Sequence, residues 1–292
     1  MNKEAMKQQI LEAVSKRLEN GFHVSIQRVY KANHELDGLV IMAEDENTAP
    51  TIYLEPFYEA LANGVSTDDV CSRLLHEIYL ARLQTHHFDT GSLLDFHYVK
   101  DRLYVQLINR HLNQNLLQNV PHTLFLDDFA IVIRCRVDTS EDCNTSFLIH
   151  NRLLKIWQTD HAAVLSLALH NTRKLLGVEL ISMEELIREL APEALTEPVA
   201  QNPMWIMTAK DKSFGAVTIL FDDVLKDFAE KHGSFYVIFS SIHEVLLIPS
   251  PDSSDIDTFT RHNRNVNAAS LEKDEILGTR AYFYEKDKGF VL

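Results

Sequence analysis

A chain of 292 residues with 46% hydrophobic and 9% aromatic side chains has enough apolar surface for one large core or two modest ones. Twenty-eight basic against 42 acidic side chains leave a formal charge of −14, which repels phosphate backbones and anionic membranes and argues against nucleic-acid or lipid-surface binding. MNKEAMKQQILEAV lacks the apolar core of a signal peptide, and no run reaches the roughly 18 to 20 apolar residues of a membrane span; both point to a cytoplasmic protein.

In chain order, Met6, Ile10, Leu11, Val14 and Leu18 fall at three- and four-residue steps, a helix that buries one stripe, and Asn20-Gly21 supplies its stop. FHVSIQRVY alternates through Phe22, Val24 and Ile26, a strand with one wet face, ahead of a turn at 31–35. From Leu36, LDGLVIMAEDENTAPTIYLEPFYEALANG reads as strand, acidic turn, strand and a short helix ending at Asn63-Gly64. Ser66-Thr67-Asp68-Asp69 opens a further helix reaching Leu83, because a hydroxyl cap and first-turn carboxylates satisfy the orphan amides there. Beyond HHFDTGSLLDF, the spacing of Leu94, Tyr98, Leu103, Leu107 and Ile108 predicts a helix over 93–111. Pro121 follows a polar exit and marks the seam between an N-terminal domain, 1–120, and a C-terminal domain, 121–292.

DFAIVIRCRVDTSEDCNTSFLIHNRLLKIWQTD repeats the earlier pattern: a strand over 129–137, a polar turn, a strand over 145–149 and a short helix to Trp157. Thr159-Asp160 caps the helix HAAVLSLALHNTRKLLG, which Gly177 closes, and another helix follows before Pro192. The aperiodic stretch 193–203 is a linker that subdivides the C-terminal half. Strands at 204–208 and 216–221 then flank KDKSFG, with Gly215 where a bulge or positive φ needs it, and Asp222 caps a helix ended by Gly233. FYVIFSSIHEVLLI is too long for one strand and predicts a break near Ser240-Ser241. A capped helix in SSDIDTFTRHNRNVNAAS and a last strand carrying Tyr282 and Tyr284 on one face complete the chain. The expected fold is α+β: antiparallel hairpin–helix units in three similar copies, packed with flanking helices.

Chemistry is sparsely encoded. Cys71, Cys135 and Cys143 are odd in number and form no C-x-x-C pair, so they are read as reduced and structural. His34-Glu35, His76-Glu77 and His243-Glu244 invite a zinc-protease reading, but Leu80 and Leu247 stand where the second imidazole belongs. His86-His87 with Asp89 is read as solvated, and the His-Asn pairs at 150, 170 and 262 as local capping. None of the nine glycines forms a phosphate-cradling loop, and no cofactor is expected.

Two clusters remain. Ser240, Ser241, His243 and Glu244 gather hydroxyl, imidazole and carboxylate, so Ser241, His243 and Glu244 are the candidate catalytic residues. Strand alternation would place His243 beside Ser241 and Glu244 beside Ser240, and no G-x-S-x-G elbow supports a nucleophile; the plainer reading is a satisfied polar cluster at a strand break. Asp37 and Glu55, near the ends of successive strands, are the candidate metal ligands of a nuclease-like site, but Pro56 and Phe57 follow Glu55 where such sites carry E-x-K, and turn or cap roles compete.

LDGLVI, APTIYLEPFYEALANG, VPHTLFLDDFAIVI, FLIHNRLLKIW and FGAVTILFDDVLKDFAEKHGSFYVIFSSIHEV resemble an uncharacterised bacterial group, the domain-of-unknown-function 5688 family, over nearly the whole chain. The chain departs from that pattern at Ala209, where an Asn is usual, and at Asp222-Asp223 and Phe239-Ser240, where Pro-Gly and Leu-Pro are usual. The resemblance implies an intracellular bacterial protein with no established activity and no catalytic residues to carry over. The functional expectation is a non-enzymatic binding or interaction protein with a protein or small-molecule partner, the alternative being a hydrolase built on Ser241, His243 and Glu244.

Overall fold

The computed structural model describes residues 2–46, 48–84, 91–137, 146–190 and 203–291. Cys143, the His86-His87-Asp89 loop and nearly all of the 193–203 linker therefore lie outside the described residues. The chain forms two compact units, Met1–Leu93 and Leu94–Leu292. No helix among the described residues is long and apolar enough to cross a membrane.

In the first unit, α1 (Lys3–Ser15) starts at Asn2, whose side chain accepts the Ala5 N–H at 2.8 Å. Strands β1 (Phe22–Lys31) and β2 (His34–Ala43) pair from Phe22↔Ala43 to Lys31↔His34. Their tight turn passes through Asn33 at φ 66°, a left-handed position that Asn tolerates. Next come β3 (Thr51–Tyr53), which adds to β2, α2 (Glu55–Ala62) and α3 (Thr67–Gln84), whose start is capped by Ser66 Oγ accepting the Asp69 N–H. Leu39 and Ile41 of the sheet pack with Ile10, Val14, Phe57 and Leu74 of the helices, all buried.

The second unit begins with α4 (Phe96–Val99), β4 (Leu103–Asn109), α5 (Gln114–Leu117), β5 (His122–Phe125), β6 (Phe129–Arg136) and β7 (Ser146–Leu148). Then come α6 (Asn151–Ile156), α7 (His161–Leu176), β8 (Glu179–Ser182), α8 (Met183–Leu190), β9 (Trp205–Thr208) and a 3-10 helix (Gly215–Leu220). It ends with α9 (Asp222–His232), β10 (Phe235–Ile238), β11 (Glu244–Pro249), α10 (Ile256–Ser270), β12 (Ala281–Glu285) and β13 (Gly289–Val291). A four-stranded sheet runs β4-β6-β5 with β7 also on β6, and a six-stranded sheet runs β13-β12-β10-β11-β9-β8. With the three-stranded sheet of the first unit, all three sheets are antiparallel, an α+β architecture.

Three local expectations are corrected. The 93–111 stretch is not one helix: it contains α4 and the strand β4, all seven of whose residues are buried. A strand buried on both faces has no polar alternation, so its apolar residues coincide with helical spacing. Because β4 pairs with β6, the division between units falls at Leu93 and Leu94 and Pro121 lies inside the second unit.

The predicted strand at 216–221 is the 3-10 helix. A Cβ on Gly215 would lie 2.3 Å from Ala209 N and 2.4 Å from the His243 carbonyl oxygen, so this segment is pressed against the end of β9. The third hairpin–helix unit thus lacks its second strand, whereas β2-β3-α2 and β6-β7-α6 have theirs. Asp222, predicted as a cap, is the first residue of α9, where it and Asp223 face the positive end of the helix. The break at Ser240-Ser241 is present between β10 and β11.

The two sheets of this unit meet through aromatic rings. Phe129 of β6 lies 4.5 Å from Phe239 and 5.7 Å from Tyr282, ring centre to ring centre, and Phe125 lies 5.9 Å from Phe290. Phe129→Ala is expected to cost about 3–5 kcal/mol, the usual price of a truncated core aromatic, read as a lower urea midpoint with an unchanged slope. A loss under about 1 kcal/mol would place the joint between the sheets elsewhere.

Candidate functional site

Asp37 and Glu55 are brought together in the first unit. The Asp37 N–H donates to Glu55 Oε1 at 3.0 Å, and the Tyr58 hydroxyl donates to Asp37 Oδ2 at 3.1 Å. Sequence reasoning missed two further members. Lys3 Nζ lies 3.2 Å from Asp37 Oδ2 and 3.3 Å from Glu55 Oε1, and Lys7 Nζ lies 3.2 Å from Asp37 Oδ1. One helical turn apart on α1, these lysines put two ammonium groups against the carboxylates. Burial pushes the Asp37 carboxyl up, but the bonds and charges of Lys3 and Lys7 outweigh it and hold the group below the usual carboxylate range. Burial and the Asp37 charge push the Tyr58 phenol well above its ordinary value. The arrangement ties α1 to β2 and α2, and among the described residues no group of three or more His, Cys, Asp or Glu side chains could hold a metal ion.

In the second unit, Ser241 and Glu244 meet while His243 turns away. Ser241 Oγ accepts the His243 backbone N–H at 3.0 Å and bonds the Glu244 carboxylate. Residues 239–243 are not a strand, so alternation does not apply, and the expected Ser241–His243 and Ser240–Glu244 pairings are replaced. His243 Nδ1 accepts the Phe214 N–H at 3.4 Å, and its ring stacks on Phe214 at 5.8 Å. Burial pushes the Glu244 carboxyl up against the weaker pull of His243 and Ser241. A serine nucleophile needs its base within hydrogen-bond reach. Among the described residues no hydrogen bond joins Ser241 Oγ to the His243 ring. Cys71 and Cys135 are free and buried, and burial pushes the Cys135 thiol up to about 12, so it is unreactive at neutral pH.

Ser240, beside this cluster, lines a cavity of about 490 Å³ between α10 and the six-stranded sheet. The sheet contributes Ile238, Leu246 and Ile248, the residue before β9 contributes Met204, and α10 contributes Phe259 and Val266. The register pairs Ile238 with Leu246 and Tyr236 with Ile248, which puts these apolar side chains on one face of the sheet. Thr258, His262, Asn263 and Ser240 are the polar members of the lining. The only sequence signal for it was the helical spacing of Phe259, His262, Asn263 and Val266.

Fold and site together define an α+β protein of antiparallel sheets with an apolar cavity under its last helix. The chain belongs to the family of unknown function DUF5688, whose model matches residues 3–286. No curated protein and no solved structure matches the chain.

The lowered folded-state value of Asp37 means that its contribution is present above the ordinary carboxylate pKa and lost as pH falls through the folded value. The urea midpoint of the wild-type protein should drop below about pH 4, and Asp37→Asn should flatten that dependence. At neutral pH the same variant should lose about 1–3 kcal/mol, since it leaves two lysines without their shared carboxylate. An unchanged acid limb in the variant would assign the acid sensitivity to other groups.

Proposed function

We propose that this chain is a non-enzymatic, cytoplasmic binding protein whose ligand is a small, mostly apolar molecule held between α10 and the six-stranded sheet. The observation that carries the reading is the cavity, whose volume of about 490 Å³ lies within the range of small-molecule sites, roughly 300–1,000 Å³. Its lining is apolar with a few convergent polar groups, the composition of a small-molecule site. The catalytic alternative has less support, because Ser241 is engaged by Glu244 and by the backbone while His243 faces Phe214. The formal charge of −14 further favours a small molecule over a nucleic acid.

A neutral fluorescent probe tests this directly. N-phenylnaphthylamine should bind the purified chain saturably with one-to-one stoichiometry and increased emission. Val266 is 40% exposed on the rim, so Val266→Trp should keep the fold while blocking the cavity and abolishing the signal. Leu169→Trp, at an exposed position on α7 away from the lining, should leave binding intact. Saturable binding that survives Val266→Trp, or no binding at all, would sink the proposal.

A further inference from the structure

Two of the polar residues that line the cavity are deeply buried and keep unused hydrogen-bonding capacity. Ser240 is 8% exposed and Asn263 3%, whereas Thr258 and His262, the other polar members of the lining, are exposed. The Ser240 carbonyl accepts the Leu277 N–H, but its hydroxyl bonds no partner among the described residues. The Asn263 amide nitrogen donates to the Gly278 carbonyl at 3.3 Å, which sets the orientation of the amide and leaves Oδ1 without a donor among the described residues. Buried polar atoms ordinarily have partners, so both groups are open to one supplied by a ligand.

The two lie at the same end of the cavity. Leu277 and Gly278, adjacent in sequence, hold Ser240 by its carbonyl and Asn263 by its amide. One helical turn earlier on α10, Phe259 packs on Tyr236 at 4.6 Å, level with the Tyr236–Ile248 pair and four residues before Ser240. Between these ends the wall is Ile238, Leu246 and Ile248, with Met204 and Val266, and no Asp, Glu, Lys or Arg lines it. The cavity is an apolar slot with one neutral polar end.

We infer that the ligand is an uncharged aliphatic chain ending in a hydroxyl, the hydroxyl seated between Ser240 and Asn263 and the chain lying along Ile238, Leu246 and Ile248. This deepens the binding reading above and rests on it. Asn263 Oδ1 accepts only, so the ligand must donate to it; the Ser240 hydroxyl donates or accepts, and a ligand hydroxyl meets both at once. A carboxylate has no proton for Asn263 and would be buried without a counter-charge, as an ammonium would. An ether or ester oxygen satisfies Ser240 alone. The single aromatic ring of the lining, Phe259, and its aliphatic neighbours favour a flexible chain over a flat ring system.

The test displaces bound N-phenylnaphthylamine with octanol, chlorooctane and octanoate on the wild-type chain and on Ser240→Ala. Since the Ser240 hydroxyl bonds nothing in the protein, the variant should keep the urea midpoint of the free chain. It should bind octanol about fivefold more weakly, the worth of one hydrogen bond, and chlorooctane no more weakly than wild type does. Octanoate should compete worst on both. If Ser240→Ala leaves octanol unchanged or weakens chlorooctane equally, or if octanoate competes best, the hydroxyl inference falls while the cavity reading stands. If neither the dye nor any of the three binds, both fall together.

Discussion

The second unit depends on one aromatic contact. Phe129, at the start of β6, and Phe239, just beyond β10, are both fully buried and 4.5 Å apart, and they join the four-stranded sheet to the six-stranded one. Tyr282 from β12 closes on both rings, and its hydroxyl donates to Asp128, the residue before Phe129. The backbone comes equally close. A Cβ on Gly278 would lie 2.9 Å from the Phe239 carbonyl oxygen and 3.0 Å from the Phe129 ring, so only glycine lets the loop before β12 pass there. Since Phe239 begins the break between β10 and β11, the joint between the sheets also fixes the local geometry of the candidate site.

That break is held by main-chain bonds. Leu277 N–H donates to the Ser240 carbonyl, Ile242 N–H to Glu275 and Ala216 N–H to Ile242. Phe239 buries its ring in the joint, while the next residue, Ser240, lines the cavity. Opposite the break, Phe214 adopts φ 53°, a left-handed conformation that costs a non-glycine residue about 1–2 kcal/mol. Its ring stacks on His243 and lies 5.0 Å below the Arg134 guanidinium, contacts that offset the strain. His243 is therefore spent on positioning Phe214, which explains why three residues with catalytic chemistry in the sequence do not assemble as a triad.

The legible parts of the sequence were those governed by local rules. Ser66 and Asp160 cap helices because a side-chain oxygen beside an orphan amide is a local interaction. The break at Ser240-Ser241 followed from strand length alone. What failed were segments whose conformation is set by burial on all sides: Leu103–Asn109 lost its alternation, and Gly215–Leu220 is shaped by the close approach of Thr208 and His243. The partners of Asp37 were hidden for a related reason. Nothing near Glu55 in the sequence announces a lysine, because Lys3 and Lys7 arrive from α1 through tertiary packing.

The cavity follows from the same distinction. Positions 256, 259, 263 and 267 of α10 form the stripe that faces inward, and two of them are asparagine rather than leucine or isoleucine. Both Asn263 and Asn267 donate to the Gly278 carbonyl, at 3.3 and 2.8 Å, and Asn109 of β4 donates to Leu277 beside it. Buried amides must keep such partners, which fixes α10 over the segment before β12. Short polar side chains cannot also fill the space above Ile238, Leu246 and Ile248, so the apolar face of the sheet is left partly uncovered under the helix. The cavity thus adjoins a polar anchor at the joint between the two sheets: Asn263, one of the two asparagines that break the hydrophobic pattern of α10, bonds the Gly278 carbonyl and also lines the cavity.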